Sequence, residues 1–408
     1  MNTIASLPLP DIVPSFRKPG TKDWECMQLP SAEANVEKTE EKKSRNKVDH
    51  ANEVLKNTLL QSLQMQHLVV LAGSGCSYHL GGPKMPDLWN IVVGKAPSKE
   101  AKHVATIVNY KLEESNIEHL LSRVEAFLSL QENKIVRDYL TTAQMGILQK
   151  CTEFLKEDKL DAHRTFLHRL SRRRTRDQRL RIFTTNYDLC FERAAAKIGC
   201  VAIDGFSFMT PRQYDPSYFD YDIIRRSRSG DNSGNYLEGV FILYKLHGSV
   251  NWEATGNGII ERERPDPQKA CLVYPARGKY QKSFDQPFIE SISQYLASIR
   301  EPNTCLLVVG SGFNDNHLSG PLLSAVRSNP HLRLMVVDPY AKEKANKTTN
   351  NYLRALFDES ENGGDVWFIN DTFEGFSNRL PNLKSLTPAE RLFKDIKGAI
   401  QHNEHFGY

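Results

Sequence analysis

No two cysteines in this 408-residue chain stand as a Cys-x-x-Cys pair, although seven are present at 26, 76, 151, 190, 200, 271 and 305. An odd, scattered set speaks against a structural zinc site and for a reducing compartment, so a cytoplasmic protein is expected. No stretch approaches the roughly 18 apolar residues of a membrane span, and no basic segment followed by an apolar run opens the chain. Neither secretion nor a membrane role is expected. The Gly-x-x-x-x-Gly-Lys-Ser/Thr loop of ATPases is missing, as is any paired-carboxylate motif for a nuclease metal site. A formal net charge of +4 is too small to imply nucleic acid by itself. Forty per cent hydrophobic and 25% charged residues is ordinary globular composition, in a chain long enough for a large core.

What the chain does have is a set of apolar runs that stop in polar or glycine loops. In 67–77, Leu68, Val69, Val70 and Leu71 lead into Gly73-Ser74-Gly75-Cys76-Ser77. A short aliphatic run bounded by glycines reads as a buried parallel strand. Glycines after such a strand let backbone N–H groups approach a phosphate, although many strands end in Gly-x-Gly simply to turn. Residues 181–184 run into Thr185-Asn186-Tyr187-Asp188 and then into an amphipathic segment closed by Gly199, a strand–loop–helix unit. Residues 240–246 end in His247-Gly248-Ser249, 304–309 in Gly310-Ser311-Gly312-Phe313-Asn314-Asp315, and 332–337 in Asp338-Pro339. Strands alternating with helices predict an α/β fold, a doubly wound Rossmann-like parallel sheet. Ligands bind such sheets beyond the carboxyl ends of the strands, where these loops converge.

Around this framework, 1–47 divides into a proline-spaced arm and a charged linker, and 48–66 has helical apolar spacing. Pro86 suits a helix start, which places Asp87 near a helix N-terminus. Residues 98–160 read as almost continuous helix, a helical insertion. Residues 201–208 and 271–274 are further candidate strands, and 209–238 an irregular insertion. Helices are expected over 285–299, 318–327 and 342–357, with a strand at 366–369 and a last helix at 388–400. The domain plan is therefore an arm and linker over 1–47, a catalytic domain over 48–384, and a C-terminal helix and tail over 385–408. Seven arginines lie between 169 and 181. Such a cluster can neutralise nucleic-acid phosphates, but without interleaved aromatics a helix end or an oligomer contact is the favoured reading.

Four of these loops, in this order, resemble the sirtuin superfamily of NAD-consuming enzymes. The family's Gly-Ala-Gly-x-Ser loop corresponds to Gly73-Ser74-Gly75-Cys76-Ser77, and its Thr-x-Asn-x-Asp loop to Thr184-Thr185-Asn186-Tyr187-Asp188 in the form of the bacterial sirtuin-like branch. Its His-Gly segment corresponds to His247-Gly248, and its late glycine strand to Gly310-Ser311-Gly312. The resemblance implies that Gly73, Ser74, Gly75 and Ser77 line the NAD phosphates and adjoining ribose. Thr185 and Asp188 of the same loop are implied cofactor-binding residues, and Asn186 is placed at the nicotinamide ribose and the attacking water. His247 is the catalytic histidine, Gly310 and Ser311 take the phosphate or adenosine side, and Asp338 an adenosine ribose hydroxyl. Asp87, in Met85-Pro86-Asp87-Leu88, resembles the Pro-Asp-Phe segment over the nicotinamide pocket. Asp188 also reads as N-terminal support for the following helix, and Asn186 as an Asx-turn cap.

Ser74 departs from the family alanine, and the zinc ribbon of protein-deacylating sirtuins has no counterpart, so no zinc is expected and deacylation is disfavoured. The resemblance implies an NAD+ glycohydrolase that releases nicotinamide and ADP-ribose. It implies an NAD-depleting effector of bacterial anti-phage defence, a homo-oligomer or a companion of an ATPase of the HerA DNA-translocase type. A protein deacylase or ADP-ribosyltransferase, and a non-catalytic NAD or ADP-ribose sensor, are the alternatives.

Overall fold

The computed structural model describes residues 12–28, 38–174, 177–225, 236–275 and 286–383. Its main sheet has nine strands, in the order β2 (Glu25–Cys26), β1 (Ser15–Arg17), β12 (Val366–Asn370), β11 (Leu332–Val337), β10 (Thr304–Val309), β3 (His67–Ala72), β4 (Leu180–Thr184), β6 (Val240–Lys245) and β5 (Val201–Ile203). From β12 to β5 every pairing is parallel; β1 and β2 add antiparallel at the β12 edge. The expected doubly wound sheet is present. A second sheet, in the order β8 (Gly258–Glu261), β7 (Gly248–Thr255), β9 (Ala270–Leu272), is antiparallel.

Helices α1 (Lys38–Leu63), α6 (Asp161–Leu170) and α7 (Cys190–Ile198) cover one face of the main sheet with α12 (Phe373–Arg379). The other face carries α8 (Phe288–Ser298), α9 (Asn316–Ser328) and α11 (Asn351–Glu361); the short α10 (Ala341–Lys347) follows β11. The period of two along each strand decides which core a side chain enters. Leu68, Val70 and Ala72 of β3 join the α1 and α6 side, while Val69 and Leu71 join the α9 side. Such central strands are buried on both faces, which is why they read as unbroken aliphatic runs.

Several sequence expectations shift. The helical insertion over 98–160 is broken into α3 (Lys99–Ile107), α4 (Ile117–Leu130) and α5 (Lys134–Glu153). Asn109 and Ser115 adopt positive φ between them, and the side chains of Asn116 and Asn133 accept from His119 N and Val136 N to start new helices. Together with α2 (Met85–Val92) these helices share an apolar core with Val250, Leu272 and Tyr274 of the second sheet and its margin. The arm is not separate from the sheet, since Ser15–Arg17 pairs with β12, and α1 begins inside the charged linker, at Lys38. The 342–357 helix is two, α10 and α11, because the Asn350 side chain caps the second by accepting from Leu353 N. The β7–β8 hairpin was not foreseen, although Gly256-Asn257 forms its two-residue turn. The helix expected over 388–400 and the tail over 385–408 lie outside the described residues.

The arginine cluster is used inside the fold. Arg173 is buried and donates to the carbonyls of Leu63, Met65, Gln66 and Gln178, satisfying the C-terminal end of α1. Arg169 donates to the carbonyls of Ser377, Asn378 and Leu380 at the end of α12. Arg174 pairs with Asp177, Arg179 with Asp222, and Arg181 donates to Ser298 Oγ. Arg176 lies outside the described residues.

Candidate functional site

Parallel register aligns the strand ends along one edge of the sheet. Ile369, Val337, Val309, Ala72, Thr184 and Lys245 are paired in one row across six strands. The next residue of each loop keeps the ladder for one more bond: Asp338 N to Ile369 O, Gly310 N to Val337 O, Gly73 N to Val309 O, Thr185 N to Ala72 O, and Leu246 N to Thr184 O. Five loops therefore leave the sheet at the same level. The order also reverses at β3, whose chain continues to β4 on one side while β10 returns on the other, so the loops after β3 and β10 border the switch-point crevice.

These two loops touch through backbone. A Cβ on Gly73 would stand 2.6 Å from Gly310 O, and one on Gly75 2.6 Å from Gly310 Cα. Gly310, at φ +63°, would bring a Cβ to 2.6 Å from Cys76 N, and Gly75 N donates to Gly310 O at 2.9 Å. The glycines are thus needed for loop-on-loop packing. Ser74 is exposed and its Oγ lies 3.0 Å from Tyr78 OH. Ser311 Oγ accepts from Phe313 N.

Asn186, Ser77 and Asp188 form one buried chain of hydrogen bonds. Ser77 Oγ donates to Asp188 Oδ2 at 2.7 Å, while Asn186 Nδ2 donates to Ser77 Oγ and to Gly73 O, both at 3.1 Å. An amide nitrogen carries two protons, and both are now committed. Asn186 faces a ligand only as an acceptor, through Oδ1. Asp188 is committed too: Oδ1 accepts from Cys190 N at the start of α7, and its carbonyl accepts from Lys245 Nζ. Lys245 is itself buried and pairs with Glu192 at 3.1 Å. Asp188 therefore supports the helix start, as its position suggested.

His247 is buried at the end of β6, and Val273 N donates to its carbonyl. Gly248, at φ +84°, turns the chain into β7 where a Cβ would meet Cys271 O at 2.2 Å, so only glycine follows the histidine. The ring of His247 lies 5.6 Å from that of His317, in the first turn of α9. The sequence reading missed His317; its signal was its place two residues after Asn314-Asp315 in the glycine-strand loop. Thr185 is half-buried beside Asn186.

Two predicted residues hold local turns. Asp87 is exposed and accepts from Lys84 N at 2.8 Å, capping α2. Asp338 accepts from Tyr340 N at 2.7 Å and pairs with Lys344. Cysteine chemistry is disfavoured here. Burial, with the Asp188 charge adding to it, pushes the Cys76 and Cys190 thiols far up, away from the thiolate a nucleophile needs. Among the described residues no group of three or more His, Cys, Asp or Glu is placed to hold a metal ion, and no helix is long and apolar enough to cross a membrane.

No curated protein matches the chain by sequence. Among solved structures, a Sir2 homologue–NAD complex aligns at 15% identity and TM-score 0.41, covering 79% of this chain and 91% of that one. A Sir2–p53 peptide–NAD+ complex aligns at 14% identity and TM-score 0.38, covering 80% and 96%. Likeness at these identities and scores assigns no function. Residues 180–357 match the family model described as a SIR2-like domain, a range that holds the loops after β4, β6, β10 and β11.

Proposed function

We propose that residues 48–384 form a catalytic domain that hydrolyses NAD+ to nicotinamide and ADP-ribose. The reaction breaks the bond between the nicotinamide nitrogen and the ribose anomeric carbon. A water oxygen forms the new bond and loses one proton. The leaving group is cationic before cleavage and neutral after it, so no strong general acid is required. The sugar passes through an oxocarbenium-like state of the kind met in glycoside cleavage. What the protein must supply is an oriented water, a proton acceptor and a grip on the pyrophosphate.

The observation that carries this reading is the commitment of both Asn186 amide protons to Gly73 O and Ser77 Oγ. The remaining Oδ1 accepts a hydrogen bond from water and leaves the water lone pair for the anomeric carbon. His247, buried on the neighbouring strand end, is the group we assign to take the proton from the water or from a ribose hydroxyl. The loops at Gly73–Ser77 and Gly310–Ser311 border the crevice in which we place the pyrophosphate, with Ser74 as the exposed hydroxyl beside it. Thr185 is assigned to the ribose side. The turn-bound Asp87 and Asp338 would act from their rims of the pocket without leaving their caps.

The family resemblance extends the reading to an NAD-depleting effector of anti-phage defence in the bacterial cytoplasm, working as a homo-oligomer or with a separate ATPase. Full-length protein incubated with NAD+, alone and with candidate ATPase partners, should release nicotinamide and ADP-ribose in equal amounts. Absence of turnover in every condition, or undiminished turnover in His247→Ala, would overturn the assignment.

A further inference from the structure

Tyr187 stands between two residues of the site, Asn186 and Asp188, and both its backbone and its side chain reach the segment that carries His247. Val250 N donates to the Tyr187 carbonyl at 3.0 Å, and Ser249 Oγ donates to the same oxygen at 3.4 Å. The phenol donates to Val273 O at 2.6 Å, and Val273 N donates to His247 O at 2.9 Å. These bonds close a ring that runs from Tyr187 to Val273, on to His247, along the chain to Val250, and back to Tyr187. One residue of the Asn186 loop thus holds the His-Gly turn at two points. Other ties between the two segments, Leu246 N to Thr184 O and Lys245 Nζ to Asp188 O, come before the histidine. Those after it, from Ser249 and Val250, end on Tyr187.

The packing around this turn leaves little slack. A Cβ on Gly248 would meet Cys271 O at 2.2 Å, so the turn sits directly on the residues that lead into Val273. Val273 is wholly buried, and its carbonyl has no solvent to turn to when the phenol is removed. The Tyr187 ring packs against the apolar core that α2 to α5 share with Val250, Leu272 and Tyr274. Burial pushes the phenol well above its usual value, with Cys151 and Asp315 adding to the shift, so the hydroxyl stays a donor across the working pH range. A hydroxyl has one proton. Here it is committed to Val273 O, which leaves Tyr187 no donor for a ligand.

We propose that Tyr187 is a positioning residue, whose hydroxyl and carbonyl together hold His247 in register with Asn186. It acts through the histidine and not on the substrate. A misplacement of about 1 Å in a reacting group can cost on the order of a hundredfold in rate, so a residue that sets this register bears on kcat more than on binding. The kinetic consequence rests on the hydrolase reading; the register itself exists without substrate.

Tyr187→Phe in the full chain removes the hydroxyl and keeps the ring. Tyr139→Phe is the control, since the Tyr139 hydroxyl also donates to a carbonyl of the helical core, Val92 O at 3.0 Å, away from the His-Gly turn. Nicotinamide release is measured per folded molecule, with the folded fraction read by circular dichroism. Tyr187→Phe should lower kcat roughly tenfold or more and leave KM for NAD+ within about twofold, while Tyr139→Phe should change neither. In a His247→Ala background, Tyr187→Phe should not lower the residual rate further, because the ring it positions is gone. A readout without substrate separates this from the hydrolase reading. In protein carrying isotope-labelled histidine, the His247 ring signals, assigned by their loss in His247→Ala, should shift in Tyr187→Phe and not in Tyr139→Phe. If the wild type releases no nicotinamide, the hydrolase reading fails and these signals alone decide whether Tyr187 holds the ring. Unchanged ring signals or a wild-type kcat in Tyr187→Phe would overturn the proposal. So would an equal loss in Tyr139→Phe, or a Tyr187→Phe chain that fails to fold where Tyr139→Phe folds.

Discussion

The rings of His247 and His317 lie 5.6 Å apart, although β6 and β10, the strands that deliver them, are separated by β3 and β4. Three inter-strand spacings of about 4.8 Å put those strands roughly 14 Å apart. The contact therefore closes over the carboxyl ends of β3 and β4, where the Gly73 and Asn186 loops emerge. His317 is expected to position His247. Replacing His247 by Ala should lower the rate of nicotinamide release by ~10²–10⁴, the usual worth of a positioned proton-transfer group. His317→Ala should reduce kcat less, shift the pH profile of kcat, and be partly rescued by His317→Asn. An unchanged profile would make His317 a packing residue.

Asn186→Asp exchanges the Nδ2 donor for an oxygen facing Gly73 O and Ser77 Oγ. Two hydrogen bonds are lost, and a buried carboxylate meets a carbonyl oxygen, so the variant should lose about 1–3 kcal/mol of stability as well as activity. Chemical denaturation beside the nicotinamide assay reads both. An Asp variant as stable as wild type would contradict the hydrogen-bond assignment.

Gly75→Ala tests the loop packing. The added methyl would stand 2.6 Å from Gly310 Cα, a backbone atom that cannot swing aside. Overpacking of this kind costs about 1–3 kcal/mol. The melting temperature should fall, and weakened NAD+ binding should accompany it. Gly81→Ala, whose Cβ would meet nothing within 4 Å but whose φ is +89°, serves as a control for backbone strain without collision.

His163 sets an acid limit. It is wholly buried against Phe191 and Phe373 and stacks at 5.5 Å on His79, and among the described residues neither of its ring nitrogens has a hydrogen-bond partner. Burial pushes it down to about 3, with Asp188 opposing and His79 adding to the shift. The unfolded chain takes up this proton near pH 6.5 and the folded one does not, so stability is lost as the pH is lowered between those values, by about 1.4 kcal/mol per unit. Above that window the contribution is intact. His163→Phe should flatten the dependence in urea titrations from pH 7 to pH 4; an unchanged slope would assign the acid sensitivity elsewhere.

Arg173→Met should cost about 3 kcal/mol or more, because the carbonyls of Leu63, Met65, Gln66 and Gln178 lose a buried charged donor. Affinity for DNA, measured by fluorescence anisotropy, should not differ between this variant and wild type once both are folded. A selective loss of DNA affinity would revive the nucleic-acid reading of the cluster.

Much of the fold was legible because its central strands are buried on both faces. Thr304–Val309 and Leu332–Val337 can be bounded to the residue, since an aliphatic run ending in glycine or Asp-Pro leaves little choice. The half-exposed second sheet was not legible in the same way. It is tied to the rest of the fold by Tyr187, whose OH donates to Val273 O at 2.6 Å just after β9, and by the apolar core shared with the helices. No local pattern announces a contact between residues 86 apart.

The candidate site divides along the same line. The residue types and their order were local properties: a glycine loop, Thr-Asn-Tyr-Asp, His-Gly, a second glycine loop, each ending an apolar run. Their roles were decided by pairing across the sheet. Parallel register brought Gly310 against Gly73 and gave the glycines a packing purpose, and it spent both amide protons of Asn186. It also turned an apparent basic patch into caps for α1 and α12, and set His317 beside His247. Chain-local chemistry dictates which groups a strand end presents; only distant backbone, brought within hydrogen-bond reach by the folded sheet, dictates which of their protons and lone pairs remain for a ligand.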